Sequence, residues 1–501
     1  MDNEVGDKTP NHDVKVVQLN NIDFHKYAYK EENTTNYLYK RDLDVSILSE
    51  EQRTAYDKYK QGENIFLTGP GGSGKTKLIQ YFVHYSKYYE EKFQVCAMTG
   101  CAALLLQCNA RTLHSWSGIK LAKGPKEKVI DSVLFNKSAI KNWKKVKILI
   151  LDEVSMLSKK IFEIIEEIAR HAKKNDLPFG GIQVIFSGDF CQLPPVGSYG
   201  EKETSQFCFE SPIWNKVFPK NNIILLQKIF RQSDNEYANI LQHIRQGILK
   251  KQDYKLLKKR LNIDFDPEKH YGCSPTKLFP LRAKADHVNK IMFEKIEEKH
   301  YTFEVIQKLD NLTLDNNKPI PREIFEKCKR LTEKDIEQEI NNLISNIPCQ
   351  QILHLKIGTI VMCTINLDME NGICNGSQGV IIRITKENDQ YIPYVRFYNG
   401  IEKRMNLHFW QSEDYPTISL GQYPLILAWA LTIHKIQGAT LDLAEIDVGN
   451  SIFEYGQTYV ALSRVKSLQG LYLSAFEPEK IQTNPLVIKF YKSISSLEET
   501  K

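Results

Sequence analysis

The octapeptide Gly69-Pro70-Gly71-Gly72-Ser73-Gly74-Lys75-Thr76 constrains this chain more than any other stretch. Its form is G-x-x-x-x-G-K-T, which cradles phosphate when it joins a strand to a helix. Both flanks suit that context: Asn64–Thr68 is apolar and strand-like, and Lys77–Val83 carries apolar residues at helical spacing. Such a loop aims backbone N–H groups and a helix N-terminus at phosphate oxygens. Glycine is needed where a Cβ would hold the backbone away from the ligand. Lys75 is then expected to reach the β- and γ-phosphates and Thr76 to ligate Mg²⁺. Taken alone the eight residues also describe a glycine-rich turn; the flanking strand and helix favour nucleotide binding, with ATP and Mg²⁺ as expected cofactors.

Composition adds bounds. A length of 501 residues suggests about three domains, and 42% hydrophobic with 26% charged residues is ordinary for a globular chain. A net charge of +6 points only mildly to a polyanionic partner. Two clusters are more basic, Lys141–Lys147 and Lys250–Arg260, although solvated helix faces look the same. Ten cysteines form no C-x-x-C pair and no compact Cys/His quartet, which argues against zinc and against a disulfide framework. They read as reduced thiols of an intracellular protein, nuclear or cytoplasmic and not secreted. The opening Met1-Asp-Asn-Glu is acidic and polar, unlike a signal peptide. The longest apolar run, Leu425–Ile433, is too short to cross a bilayer, so no membrane partner is expected.

Residues 1–45 lack periodicity and are expected to form a flexible or loosely docked arm; the interleaved aromatic and basic residues of His25–Arg41 also suit stacking on bases. Ser49 with Gln52 fits a capping box that opens a helix. From there to residue 222, strands Ile65–Thr68, Gln94–Met98, Lys147–Leu151 and Gln183–Ser187 alternate with helices near 50–61, 75–88, 101–107 and 158–173. That alternation predicts a parallel, doubly wound sheet with nucleotide at the carboxyl ends of its strands. A second α/β unit is expected to begin at Asn222–Leu226 and resume at Thr276–Phe279. Residues 301–350 are polar and helical in pattern. Strand-like Gly379–Ile384, Tyr394–Tyr398 and Ile401–Leu407, with Asn399-Gly400 as a hairpin turn, predict a small β-barrel inserted in that second unit.

Four further motifs carry chemistry. Val146–Leu151 is a buried strand ending in Asp152-Glu153. Behind a P-loop, such an Asp holds Mg²⁺ and the adjoining Glu activates the attacking water; otherwise the pair is an acidic helix cap. Gly188–Pro195 follows another strand and offers Gln192 as a sensor of the γ-phosphate. Phe230-Arg231-Gln232 and Ser463-Arg464-Val465 offer two arginines for developing charge, placed in the second unit across a cleft from Lys75. Singly, each arginine better suits a surface ion pair; the reading as a pair depends on the whole motif order.

In this order the motifs resemble a superfamily-1 helicase of the RecD-like, 5′→3′ group, and more narrowly the petite-integration-frequency (PIF) DNA helicases. The carrying residues include Leu48–Gln52, Gly69–Thr76, Met98–Ala103, Thr112–Ile119, Asp152–Met156, Phe179–Gln183, Gly188–Val196, Phe230–Gln232, Trp429–Gly438 and Tyr459–Arg464. The resemblance covers about residues 46–300 and 353–475.

It implies two RecA-like P-loop domains with an SH3-like β-barrel insertion in the second. The domains would be 46–222 with a strand-separating wedge near 116–140, then 223–300 and 425–475 around insertions 301–352 and 353–424, then a tail 476–501. It implies that Gln52, Gly69, Pro70, Gly71, Gly72, Ser73, Gly74, Lys75, Thr76 and Gly438 bind nucleotide. Thr76 and Asp152 would hold the metal, and Lys75, Glu153, Gln192, Arg231 and Arg464 would be catalytic. Thr99, His114, Ser115, Phe190, Pro194, Thr432, His434 and Lys435 would line a single-strand track. Ile436 departs from the small polar residue of relatives, which bears on local DNA contact. Cys101 and Cys191 replace aliphatic residues, a mild departure. The implied activity is ATP-driven 5′→3′ translocation and unwinding in replication, repair or recombination. Single-stranded, forked or tailed DNA is the expected partner, bound by a monomer or by a dimer assembled on DNA. An RNA or RNA–DNA hybrid unwinder, and an ATP-gated clamp that does not unwind, are the alternatives.

Overall fold

Two all-parallel sheets face each other across the middle of the molecule. In the computed structural model residues 44–495 are described, apart from 107, 109, 233, 267–273, 314–318, 321, 369–370, 388–389 and 413–414. The aromatic and basic segment His25–Arg41 therefore lies outside the described residues. The first sheet contains β1 (Ile65–Thr68), β2 (Phe93–Ala97), β3 (Arg111–Thr112), β4 (Ile148–Asp152), β5 (Gln183–Gly188) and β6 (Ile223–Leu225). Their spatial order is β3-β2-β4-β5-β1-β6, with every pairing parallel.

β1 and β4 are buried at every position, as a sheet covered on both faces requires. Their side chains alternate between two cores. Ile65, Leu67, Ile148 and Ile150 enter one, beneath helices Glu50–Lys60 and Lys75–Tyr88. Phe66, Leu149 and Leu151 enter the other, which runs on into the second unit. Helix Glu50–Lys60 starts at a complete capping box: Ser49 Oγ accepts from Gln52 N at 3.3 Å, and Gln52 Oε1 accepts from Ser49 N at 3.1 Å.

The strand at Ile223–Leu225 corrects the expected division. It pairs with β1 and closes the edge of the first sheet, instead of opening the second. Three residues carry too little pattern to reveal which sheet they join, whereas the parallel ladder beside β1 satisfies their backbone. The second sheet consists of Ala430–Thr432, Thr276–Phe279, Ala444–Val448 and Leu471–Phe476, in that order and all parallel.

Between Phe279 and Ala430 lie antiparallel elements. Five strands, in the order Glu402–Arg404, Gln390–Phe397, Gln378–Glu387, Ile360–Cys363 and Leu425–Leu427, form one sheet around Val361, Ile381, Val395 and Phe397. Asn399-Gly400 turns its hairpin, with Gly400 at φ 82° and Arg396 opposite Glu402. The preceding segment is not wholly helical as its pattern suggested. Tyr301–Glu304 and Ile306–Lys308 are strands paired with Ile352–Leu355 and Ser419–Gly421, and helices Arg322–Cys328 and Glu333–Asn346 follow. The polar outer face of each edge strand masks its period in sequence.

Leu471–Phe476 completes the second sheet, close to the expected end of that unit. The supposed tail differs: Pro485–Ser495 is a helix packed against the first unit. Its Phe490 stacks on Phe209 with ring centroids 4.5 Å apart and meets Phe190 and Phe66 at 5.3 and 6.1 Å. Among the described residues no helix is long and apolar enough to cross a membrane.

Candidate active site

The carboxyl ends of four adjacent strands build the site. β1 leads into the P-loop, β4 into Glu153, β5 into Asp189–Gln192 and β6 into Phe230–Arg231. The P-loop is pinned to β6: Leu226 N donates to Thr68 O at 2.8 Å, and Phe230 N donates to Gly72 O at 2.8 Å. Gly72 sits at φ 83°, and a Cβ there would meet Arg231 Cβ at 2.4 Å, so neither its backbone nor its surroundings admit a side chain. Gly74, at φ 84°, is the N-cap of helix Lys75–Tyr88. Lys75 Nζ donates to the carbonyls of Gly69 and Pro70 at 2.8 and 3.0 Å. Burial draws its ammonium below the usual value, opposed by Asp189, Glu153 and Asp152.

Asp152 is buried, and burial followed by the neighbouring Glu153 charge pushes its carboxyl up. Glu153 occupies the left-handed region at φ 55°, a strained backbone of the kind functional sites retain. Its Oε2 accepts from Gln437 Nε2 at 3.2 Å, a contact reaching across from the second sheet. Gln192 is buried, and its Oε1 has no hydrogen-bond partner among the described residues. Gly456, from the second unit, packs on the same loop; a Cβ there would lie 2.7 Å from Gln192 O.

The two arginines converge on Gly71. A Cβ built there would lie 3.5 Å from Arg231 Nη1 and 3.6 Å from Arg464 Nη2. Their hydrogen bonds go to carbonyls and one hydroxyl: Arg231 Nη1 to Ser463 O at 3.2 Å, Arg464 Nε to Val460 O at 2.9 Å and Arg464 Nη2 to Ser463 Oγ at 2.8 Å. Burial first, and Arg231 second, bring the Arg464 guanidinium down to about 9. Two cations without an ion-pair partner among the described residues, beside a phosphate loop, suit a polyanion. One expectation needs correction here. Arg231 follows β6 and rides on the P-loop side, so only Arg464 comes from across the cleft.

Gln52 lies against the loop, with Nε2 3.4 Å from Ser73 O, and Thr76 is exposed at the helix start. Gly438 takes φ 87° beside Gln437. Three contacting residues had no role assigned from sequence. The Phe230 ring is half exposed and would lie 3.5 Å from a Cβ on Gly74. Tyr459 Oη accepts from Gly71 N at 2.9 Å. Gln437 reaches Glu153. All three sit inside the quoted motifs, but only the tertiary approach of the two units shows what they touch.

Between the units runs a cleft of about 910 Å³. Thr99 from the first unit and Thr432, His434 and Lys435 from the second line it together. Burial lowers the His434 imidazole, whose ring stacks with the exposed Phe453 at 6.4 Å and 17°. His114 and Pro195 line a separate cleft of about 210 Å³; Ser115 is exposed and Pro194 half-buried beside them.

Phe190 does not belong to any such track. It is 2% exposed, packed among Phe66, Phe209, Trp214 and Phe490. Truncating an aromatic ring in such a core typically costs about 3–5 kcal/mol, so its role is packing. Ile436 is likewise 2% exposed and part of the core, away from the cleft it was expected to affect. Cys191 is buried, and burial raises its thiol; the Cys101 side chain lies outside the described residues.

A sequence model of the PIF1-like helicase family matches residues 47–255, and one of the DNA helicase Pif1 2B domain matches residues 340–384. The ATP-dependent DNA helicase PIF1 of Emericella nidulans is 32% identical over 93% of this chain and 66% of its own, so the chain spans just under two thirds of that relative. The ATP-dependent DNA helicase RRM3 of Saccharomyces cerevisiae is 30% identical over 91% of this chain and 68% of its own. A crystal structure of Pif1 helicase from Bacteroides, in complex with ADP-AlF3 and single-stranded DNA, superposes with a TM-score of 0.59 at 28% identity, covering 91% of this chain and 98% of that one.

Proposed function

This chain belongs to the PIF1-like helicase family, and from that premise we propose that it is an ATP-dependent 5′→3′ DNA helicase that translocates on single strands and unwinds forked or tailed duplexes. One observation carries the proposal: guanidinium groups from both units meet at Gly71, which couples phosphate binding to the approach of the units.

ATP fits the residues present. The P-loop supplies N–H groups, Arg231 and Arg464 supply positive charge without an ion-pair partner among the described residues, and the Gln192 amide keeps an acceptor with no partner among them. Mg²⁺ would be held by Thr76 and Asp152, with few protein ligands, as is usual where phosphates complete the shell; when bound it would neutralise charge between the β- and γ-phosphates. Glu153 accepts a proton from the attacking water, and Gln437 orients its carboxylate. Lys75 and Arg464 face the charge that develops on the transferred phosphoryl group. The Phe230 face and Gln52 suit the nucleobase.

Glu153→Gln is expected to bind ATP with near-normal affinity and hydrolyse it about 10²–10⁴-fold more slowly. Single-turnover hydrolysis beside equilibrium binding checks this, and wild-type turnover would return Glu153 to a capping role.

The strand occupies the cleft in this reading. Thr99, Thr432 and Lys435 take phosphates, and His434 with Phe453 offers a stacking surface. Helices Lys126–Phe135 and Lys137–Lys145 stand where a wedge is placed, with Leu121 and Phe135 exposed at 73% and 86%. Matched partial duplexes with a 5′ or a 3′ single-stranded tail, with ATP and Mg²⁺, test the function. Unwinding of only the 5′-tailed substrate is expected. Unwinding of neither, with single-strand-stimulated hydrolysis intact, would favour a clamp or translocase.

A further inference from the structure

Behind the phosphate loop lies a buried polar cluster that the hydrolytic scheme leaves without a role. Asp189 is fully buried at the end of β5, three residues before Gln192. Arg245, at the end of helix Asn235–Arg245, grips it with a fork: Nε donates to Oδ2 at 3.0 Å and Nη2 donates to Oδ1 at 2.9 Å. Tyr491, from the last described helix, completes the cluster. Its hydroxyl donates to Asp189 Oδ1 at 3.2 Å, accepts from Phe190 N at 3.1 Å and lies 2.7 Å from Thr68 Oγ1. One donor and two acceptors satisfy those three contacts when Thr68 donates. The Arg245 guanidinium stacks 4.7 Å from the Tyr491 ring.

Thr68 is the residue before Gly69, so the Tyr491 hydroxyl joins the stem of the P-loop to the loop that presents Gln192. Helix Asn235–Arg245 also reaches the second unit, where Tyr237 Oη donates to Leu462 O at 2.7 Å, just before Ser463-Arg464. A buried, fully satisfied network of this kind fixes geometry more than it adds stability.

We propose that Tyr491 is a positioning residue for ATP hydrolysis: its hydroxyl, through Asp189 and Thr68, holds the Gln192 loop and the P-loop stem in one register, making the carboxyl-terminal helix a working part of the ATPase. The inference rests on the helicase reading above. It is tested in the full chain with Tyr491→Phe, which removes the hydroxyl and keeps the ring that packs on Arg245 and Phe490. Single-strand-stimulated hydrolysis should lose about tenfold in kcat, the scale of one misplaced hydrogen bond. KM for ATP should stay within about twofold and Tm within a few degrees. Thr68→Val should show the same split, and the double variant should lose little more than either single one. An unchanged kcat in Tyr491→Phe, a loss that appears as raised KM with lowered Tm, or additive losses in the double variant would overturn the inference and leave the helicase reading intact. A wild-type chain with no single-strand-stimulated hydrolysis would overturn both.

Discussion

Replacing Arg464 by alanine should lower single-strand-stimulated ATP hydrolysis by about 10³-fold or more, with nucleotide-free DNA binding changed only severalfold. Arg464 is 1% exposed and anchored to its own helix by Val460 O and Ser463 Oγ. Among the described residues it forms no ion pair, and Arg231 stands close enough to lower it further, against smaller support from Glu153 and Asp189. In the proposed mechanism a triphosphate beside Gly71 would supply negative charge, and the interaction would be strongest where charge on the transferred group peaks. Steady-state hydrolysis and fluorescence-anisotropy binding of a single strand measure the two quantities separately. Equal loss of both would make Arg464 a DNA contact and remove the link between domain approach and chemistry.

Lys75→Ala is the second large effect. Hydrolysis should fall by at least about 10²-fold, with Tm unchanged within a few degrees. The side chain bridges the carbonyls of Gly69 and Pro70 and is drawn on by three carboxylates, so it is poised on a short tether inside the loop. Unlike Arg464, it rides on the same rigid segment as the rest of the phosphate cradle. The lysine variant should therefore weaken ATP binding itself, whereas the Arg464 variant should hold ATP and fail to use it. Normal turnover in Lys75→Ala would dismiss the P-loop assignment.

What the sequence revealed divides by range. The P-loop, the Asp152-Glu153 strand end, the Ser49 cap and the Asn399-Gly400 hairpin each depend on a few contiguous residues, and all lie where their local chemistry requires. Long-range facts were hidden. Ile223–Leu225 is a strand with an unmistakable composition and no indication of its neighbour, which moved Arg231 to the wrong unit. Phe190 stands beside Gln192 in a motif, yet its environment comes from Phe66 and Phe490, both more than a hundred positions away in sequence, and from Trp214. The residues after 476 showed no motif, although Val487 and Ile494 are buried and Tyr491 reaches Asp189. A helix with one apolar stripe announces that it packs, never against what.

The edge position of Ile223–Leu225 has a mechanical consequence. Because that strand pairs with β1 and Phe230 N donates to Gly72 O, Arg231 is carried on the side of the phosphate cradle, while its Nη1 donates to Ser463 O of the other unit. Arg464 comes to the same point from the other unit, so in the proposed mechanism the approach of the two sheets would bring the second guanidinium to the phosphates. In the proposed mechanism the two arginines would therefore answer to different events. A nucleotide held by the cradle alone would lack the Arg464 charge, and hydrolysis would wait on the contact between the units.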